Sequence, residues 1–307
     1  MYHINRQSDG AENFLGIDIG GTNIKLGVVS ASGKVRCTKS LPTGKTYPAI
    51  LQQLVDAAAM MRKEHSYSAV GVGVPAPVKE DGTLAACVNI PIDGYPILKD
   101  LTDAIALPVY MANDADCAAL AEYRIGAGKG HRHILLLTLG TGVGSGMVID
   151  GKLFSGNDGY FELGHMITHA GGRSCSCGRR GCMEQYASAS ALKYEVSKAV
   201  RQYPESVLAS CAKDLDFCIA AFEAVGQGCC VAKEILDRFF EDVSIGITNA
   251  KWMFSPELVI LGGGMAAQGD ALLEPIAARV GDIVPVALAE LGNQAGLIGA
   301  SMLCIRQ

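Results

Sequence analysis

Three cysteines crowd the run SCSCGRRGCMEQ, residues 174–185: Cys175, Cys177 and Cys182. His165 precedes Cys175 by ten positions. Thiolates and imidazole bind zinc, and neighbouring thiols also exchange disulfides or react with oxidants. A structural zinc site closes with four nitrogen or sulfur ligands in a tetrahedron. The loops between His165, Cys175, Cys177 and Cys182 hold 9, 1 and 4 residues, short enough to wrap one ion. Gly171, Gly172, Gly178 and Gly181 permit the turns this requires. His169 is an alternative nitrogen donor, and Arg179 and Arg180 read as solvated. Metal site, redox centre and disulfide knot are the alternatives.

The chain holds eleven cysteines in 307 residues. That odd number in a long chain is unlike a secreted disulfide scaffold. Cys87, Cys117, Cys218 and Cys304 lie in apolar stretches and read as buried small hydrophobes. A reducing cytoplasm is the expected compartment, and it disfavours the disulfide.

Glycine and threonine supply a second chemistry. Residues 14–30, FLGIDIGGTNIKLGVVS, and 134–149, ILLLTLGTGVGSGMVI, each read as an apolar strand, a turn and a second strand. Gly20, Gly21 and Thr22 fill the first turn; Gly140, Thr141 and Gly142 fill the second. Such turns let backbone N–H groups approach a phosphate, and a threonine hydroxyl adds a donor. Neither is a P-loop, and strand follows each turn, so neither opens a dinucleotide-type helix. Gly262, Gly263 and Gly264 follow the apolar run 258–261 and precede a helix, a common nucleotide position in α/β folds. Each turn alone equally suits a structural hairpin; together they point to a nucleotide. Asp18, inside an apolar strand beside its turn, needs a partner. It is either a hydrogen-bonded buried residue or a water-mediated holder of Mg2+ on nucleotide phosphates. Lys25, on the next strand, reads as solvated.

The elements around these turns alternate. Residues 47–63, 115–125, 186–201 and 229–253 read as helices; 69–74, 108–112 and 258–261 read as strands. This implies an α/β architecture. Two like hairpins imply two domains of related topology, 1–125 and 126–294. GAGKG at 126–130 serves as hinge, and a helix at about 295–307 packs back on the first domain. The chain is 49% hydrophobic with a net charge of −5. It can bury a large core, and it lacks the basic balance of a nucleic-acid binder. No apolar run reaches the ~20 residues of a membrane span. The first 13 residues have no apolar signal core and read as a frayed tail.

GIDIGGTNIK, LTLGTGVGSGMV, ELGH and C-S-C-G-x-x-G-C-M-E, in this order, resemble the ROK family of bacterial sugar kinases and related repressors. The likeness runs from about residue 14 to the C-terminus. It implies the actin/hexokinase/ribonuclease H-like ATPase fold, two α/β domains with a cleft that closes on ATP and a hexose and excludes water. The repressors carry a helix-turn-helix segment before the first hairpin, and only 13 residues precede Phe14 here. The kinase branch is therefore expected; a repressor-related or non-catalytic sugar-sensing protein is the alternative.

The resemblance also implies roles. Asp114 matches the family's base and Asn113 its sugar-binding neighbour, although an Asn-Asp pair opening a helix is also a common cap. Asp116 reads as helix surface. Asn89, Glu162, His165 and Glu184 match sugar contacts. His165, Cys175, Cys177 and Cys182 match a structural Zn2+ set, on a loop spanning 165–182. Gly263 and Gly264 match the adenosine side. The expected assembly is a homodimer or homotetramer. Two positions depart from the family pattern: Phe161 replaces a small residue in a segment one residue shorter, and Ala76 replaces glycine. Both fall near the expected sugar pocket. Glucose is the default substrate, with allose, fructose, mannose or N-acetylmannosamine open.

Overall fold

A computed structural model describes residues 12–84 and 90–305. The chain begins with three strands, β1 (Asn13–Ile19), β2 (Asn23–Ser30) and β3 (Val35–Pro42), then α1 (Tyr47–Glu64) and β4 (Val70–Val74). Next come α2 (Ile97–Ile105), β5 (Val109–Asn113) and α3 (Asp114–Ile125). A second strand series opens with β6 (His133–Leu139), β7 (Val143–Ile149) and β8 (Lys152–Leu153). Helices follow: α4 (Glu184–Ala187), α5 (Ala189–Gln202), α6 (Val207–Cys211), α7 (Phe217–Gly226) and α8 (Cys230–Phe254). The chain ends with β9 (Leu258–Gly262), α9 (Asp270–Val280), β10 (Val286–Leu288) and α10 (Ala295–Met302).

Two compact units result: Met1–Ile125 with Ser155–Tyr160 and Gln294–Gln307, and Gly126–Phe154 with Phe161–Asn293. Each holds one five-stranded sheet. The first runs β3-β2-β1-β4-β5 and the second, read from its other edge, β8-β7-β6-β9-β10. In both, a three-stranded antiparallel meander is followed by two parallel strands. The two hairpins found in the sequence are thus the matching first pairs of two sheets with one topology. Their turns differ by a residue: Ile19 pairs Ile24, while Leu139 pairs Val143.

Helix α1 buries Ile50, Leu54, Ala57, Ala58 and Met61, one stripe at helical spacing. Its last turn carries Arg62 and Lys63, where the helix dipole favours cations. Helix α8 buries Ile235, Leu236, Phe239, Val243, Ile247 and Ala250 against the second core. The helix expected over 186–201 is interrupted at Ser188. That residue is extended, and its hydroxyl accepts the Ala191 N–H to start α5 afresh. Helices α2, α6 and α7 and strand β3 are additions to the sequence reading.

Glycines let α10 sit directly on the first sheet. Gly16 and Gly71 are neighbours across β1 and β4. A Cβ on Gly16 would collide with the Leu297 carbonyl, one on Gly71 with the Ala300 carbonyl, and one on Gly299 with the Cys117 carbonyl. Among the described residues no helix is long and apolar enough to cross a membrane.

Gly71→Ala should destabilise the protein by about 2–3 kcal/mol, because the added methyl meets backbone that cannot rotate away. Urea unfolding checks this; an unchanged midpoint would show that α10 has room to retreat.

Candidate active site

In the first unit, β1 delivers Asp18 to the edge of its turn. Lys25 stands directly across the hairpin. The expectation that Lys25 is a free solvated side chain is therefore corrected: it is half-buried, and its charge lowers the pKa of Asp18. Burial is the larger effect and holds the Asp18 carboxyl above the usual aspartate range. Gly296 on α10 closes the other side, where a Cβ would lie 3.1 Å from Asp18 Oδ2. The turn itself is tied to the end of β3, with Thr43 Oγ1 donating to the Gly20 carbonyl at 2.6 Å and Thr43 N–H to Thr22 at 2.9 Å. Gly21 and Thr22 are exposed.

Asn113 ends β5 and Asp114 begins α3. The Ala115 N–H donates to Asn113 Oδ1 and to Asp114 Oδ1, both at 2.8 Å. Asn113 thus does cap α3, and that role fixes both side chains at the helix start. Asp116 is not helix surface: it is 3% exposed and accepts a 2.7 Å hydrogen bond from Ser155. The segment Ser155–Tyr160, which belongs to this unit, covers it. The charges of Asp116, Asp18 and Asp114 all push up the pKa of the buried Cys117 thiol, after burial itself. Three carboxylates therefore converge on the start of α3. A cavity of about 200 Å³ lies beside Asp116, lined also by Lys79, Asn113, Ser155 and Asp158 among others. Ala76 is buried in this unit's core. Asn89 lies outside the described residues.

In the second unit, the turn 140–142 is anchored by the Ala189 N–H, which donates to the Gly140 carbonyl at 2.8 Å. Glu184, at the start of α4, turns its carboxylate into this region and accepts the Val143 N–H at 3.1 Å. A Cβ on Gly142 would strike that carboxylate where it now stands, so the glycine leaves room for this placement of Glu184. Thr141 and Glu184 share a cavity of about 380 Å³ with Arg173, Gln185, Ser188 and Tyr194. Glu162 and His165 flank the tight turn Leu163–His165, and the His165 N–H donates to the Glu162 carbonyl at 3.0 Å. The Glu162 carboxyl lies above the usual range, first through burial; His165 pulls it down and Glu184 pushes it up. The three expected sugar contacts of this unit are thus within electrostatic reach of one another. Phe161, the departure from the family pattern beside Glu162, turns its side chain into this unit's core. The ring packs edge-on to Phe154 and Phe254 in the core, with centroids 5.5 and 5.2 Å away. Gly263 and Gly264 follow β9 and are exposed.

The sulfur and nitrogen atoms of His165, Cys175, Cys177 and Cys182 all lie within 4.8 Å of one another. Cys175 Sγ is 3.6 Å from His165 Nδ1, and Cys177 Sγ is 3.6 Å from Cys182 Sγ. A disulfide needs about 2.05 Å. The loop is built by backbone bonds: Cys175 N–H to Arg179 at 2.8 Å, Gly178 N–H to Cys175 at 3.0 Å, and Gly181 N–H to Arg173 at 2.8 Å. Gly178 and Gly181 take φ of 85° and 84°, which only glycine accepts without strain. Met183 is fully buried against Gly246 of α8, which fixes Cys182 and Glu184 on either side of it. His169 is outside the cluster. It stacks on Tyr186 at 3.9 Å, and its Nε2 lies 3.4 Å from Asp242. A larger cavity, about 440 Å³, lies there and contains none of the expected site residues.

Sequence reasoning passed over Ser145. It is 3% exposed on β7, between buried Val143 and Met147 on the same face. That alternation was the available signal, since a polar residue on a buried strand face must have partners.

Two sheets of one topology, each with a glycine turn between its first strands, define the actin-like sugar-kinase fold. The ROK family profile matches residues 14–307. A glucokinase of Streptomyces coelicolor is 36% identical over 305 residues, covering 94% of this chain and 96% of that one. An N-acetyl-D-glucosamine kinase of Haemophilus influenzae is 32% identical over 314 residues, covering 94% and 98%. The crystal structure of a ROK family glucokinase from Streptomyces griseus, in complex with glucose and AMPPNP, superposes with a TM-score of 0.81 at 33% identity, covering 95% and 98%. This chain belongs to the ROK family.

Asp18→Asn should melt higher than the parent at neutral pH. Because the folded pKa of Asp18 is raised, its contribution to stability is present at low pH and lost as pH rises through that folded value. The advantage of Asn should therefore vanish below the ordinary aspartate range. Thermal unfolding at pH 7 and pH 3 checks this; a lower melting point at pH 7 would mean that Lys25 outweighs burial.

Proposed function

We propose that this protein is a cytoplasmic ATP-dependent hexose kinase, with glucose as the default acceptor and the 6-hydroxyl as the phosphorylated group. The observation that carries the reading is the Asn113-Asp114 pair at the start of α3, in a chain similar to glucokinases along 94% of its length. Asp114 takes the proton of the sugar hydroxyl as its oxygen attacks the γ-phosphorus and ADP leaves. Asn113 has one acceptor and two donors to offer, and its capping bond uses only the acceptor oxygen. Glu162, His165 and Glu184 are assigned to sugar hydroxyls, which discriminate well because an unmatched sugar leaves buried polar groups unpaired.

The turns 20–22 and 140–142 are assigned to the phosphates, and Gly263 and Gly264 to the adenosine side. Mg2+, when bound with the nucleotide, supplies positive charge beside Asp18. The family suggests a homodimer or homotetramer, which light scattering would distinguish.

We assign Zn2+ to His165, Cys175, Cys177 and Cys182. With Zn–S at about 2.3 Å and Zn–N at about 2.0 Å, a tetrahedron needs S···S near 3.8 Å and S···N near 3.5 Å. The two 3.6 Å separations fit that shape. Burial and the neighbouring thiols push Cys182 up to about 12, whereas the Arg179 backbone N–H draws Cys177 below the ordinary thiol range. Four protein ligands leave no position for an activated water, so the ion's role is to hold Glu184 and His165 in place.

A coupled ADP-release assay with Mg-ATP across glucose, mannose, fructose, allose, N-acetylmannosamine and N-acetylglucosamine tests the activity. Tight sugar binding with no turnover would favour the sensing alternative. Asp114→Asn should keep sugar affinity and lose about 10²–10⁴-fold in kcat; near-normal turnover refutes the base.

Purified protein should carry one zinc per chain by elemental analysis. Cys177→Ser should lose metal and raise the sugar KM about tenfold or more. Absence of stoichiometric zinc overturns the assignment.

A further inference from the structure

Ser145 is a buried hydroxyl on β7 with two partners, and they flank one residue. Its Oγ donates to the Phe161 carbonyl at 2.9 Å and accepts the Leu163 N–H at 2.9 Å. The residue between them is Glu162. Its backbone, at φ −120° and ψ 74°, is neither helical nor extended, so no regular ladder of hydrogen bonds fixes it. Buried backbone groups have to be satisfied somewhere, and here a single hydroxyl satisfies one on each side of Glu162. The same strand supports the segment once more. Val143 presses its carbonyl on Gly164, where a Cβ would collide. Its N–H meanwhile holds Glu184 at 3.1 Å. The first three residues of β7 therefore carry the frame of one carboxylate and the head of another.

We propose that Ser145 is a positioning residue for the sugar site: its hydroxyl sets the orientation of the 161–163 peptides and thereby where the Glu162 carboxylate meets the sugar. This rests on the hexose-kinase reading of Glu162. Ser145 touches neither sugar nor nucleotide in this scheme. Its effect is exerted through the segment it holds, and it acts on sugar affinity rather than on proton transfer at Asp114.

The test is steady-state kinetics on the full-length, metal-replete protein, with Ser145→Ala, Ser145→Thr, Glu162→Ala and the double variant Ser145→Ala/Glu162→Ala. Ser145→Ala should raise the sugar KM about tenfold, the equivalent of the two neutral hydrogen bonds lost. Its kcat and its KM for ATP should stay within about twofold. Ser145→Thr, which keeps the hydroxyl, should restore the KM. In the double variant the serine change should add less than about twofold to the effect of Glu162→Ala. If Ser145→Ala does not fold, Ser145→Cys fills the same space with a weak hydrogen-bonding group and should give the KM rise. An unchanged sugar KM in the folded serine variants, alongside a large rise in Glu162→Ala, overturns the inference and leaves the kinase reading intact. A full, additive factor in the double variant also overturns it, because the serine would then be acting on general structure. Glu162→Ala with a parental KM defeats the sugar role of Glu162 itself, and this inference with it.

Discussion

Backbone meeting backbone through glycine is the constraint on which both units depend. Asp18 is enclosed because α10 descends onto Gly16 and Gly71 and brings Gly296 beside the carboxylate. Glu184 reaches the turn 140–142 because Gly142 leaves it space. The Glu162 segment lies against β7 because Gly164 has no Cβ to strike the Val143 carbonyl. The zinc-type loop closes because Gly181 passes over the His169 carbonyl. A methyl on Gly16, Gly71, Gly164 or Gly181 would meet a backbone carbonyl that a side-chain rotation cannot clear. Chemistry in this protein is located by where side chains are missing.

The close contacts have an electrostatic consequence. Enclosing Asp18 and Glu162 raises the cost of their charge, and for Asp18 burial outweighs even the Lys25 cation across the hairpin. Such carboxylates are poised for partners that arrive with donors or positive charge, which sugar hydroxyls and a magnesium–nucleotide supply under the proposed function. Asp116 contrasts with them. Ser155 already satisfies one of its oxygens, and the covering segment keeps it from solvent. It reads as a structural tie within the first unit.

What the sequence disclosed follows the same physics. The two hairpins were legible because apolar strands bounded by glycine turns have a local signature, and their register needs no distant information. The Cys/His cluster was legible because its four ligands come from one short loop. Strand β3, VRCTKSLP, was not, since none of its residues is fully buried at this sheet edge and its apolar content is low. Helices α6 and α7 are short, and their alanine-rich runs show no clear period. Lys25 was misread because its partner depends on cross-strand register, and Asp116 because a segment some forty residues later covers it. The departures at Phe161 and Ala76 suggested an altered sugar pocket. Both side chains enter cores, Phe161 in the second unit and Ala76 in the first.

Strand β7 joins what the sequence presented as separate motifs. Its leading turn is the proposed phosphate site, its first amide holds Glu184, and its third residue brackets Glu162. The turn, the amide that holds Glu184 and the hydroxyl that brackets Glu162 thus follow one another within six residues, 140–145, of a strand paired with β6. If nucleotide phosphates draw the turn 140–142 toward them, the differential contacts reach the sugar carboxylates through three residues of backbone. Coupling of this kind is reciprocal, so a sugar that fixes Glu162 and Glu184 also prearranges the turn for phosphate. Under the proposed function, one strand end of the second unit would serve both ligands, and their coupling would need no long-range pathway.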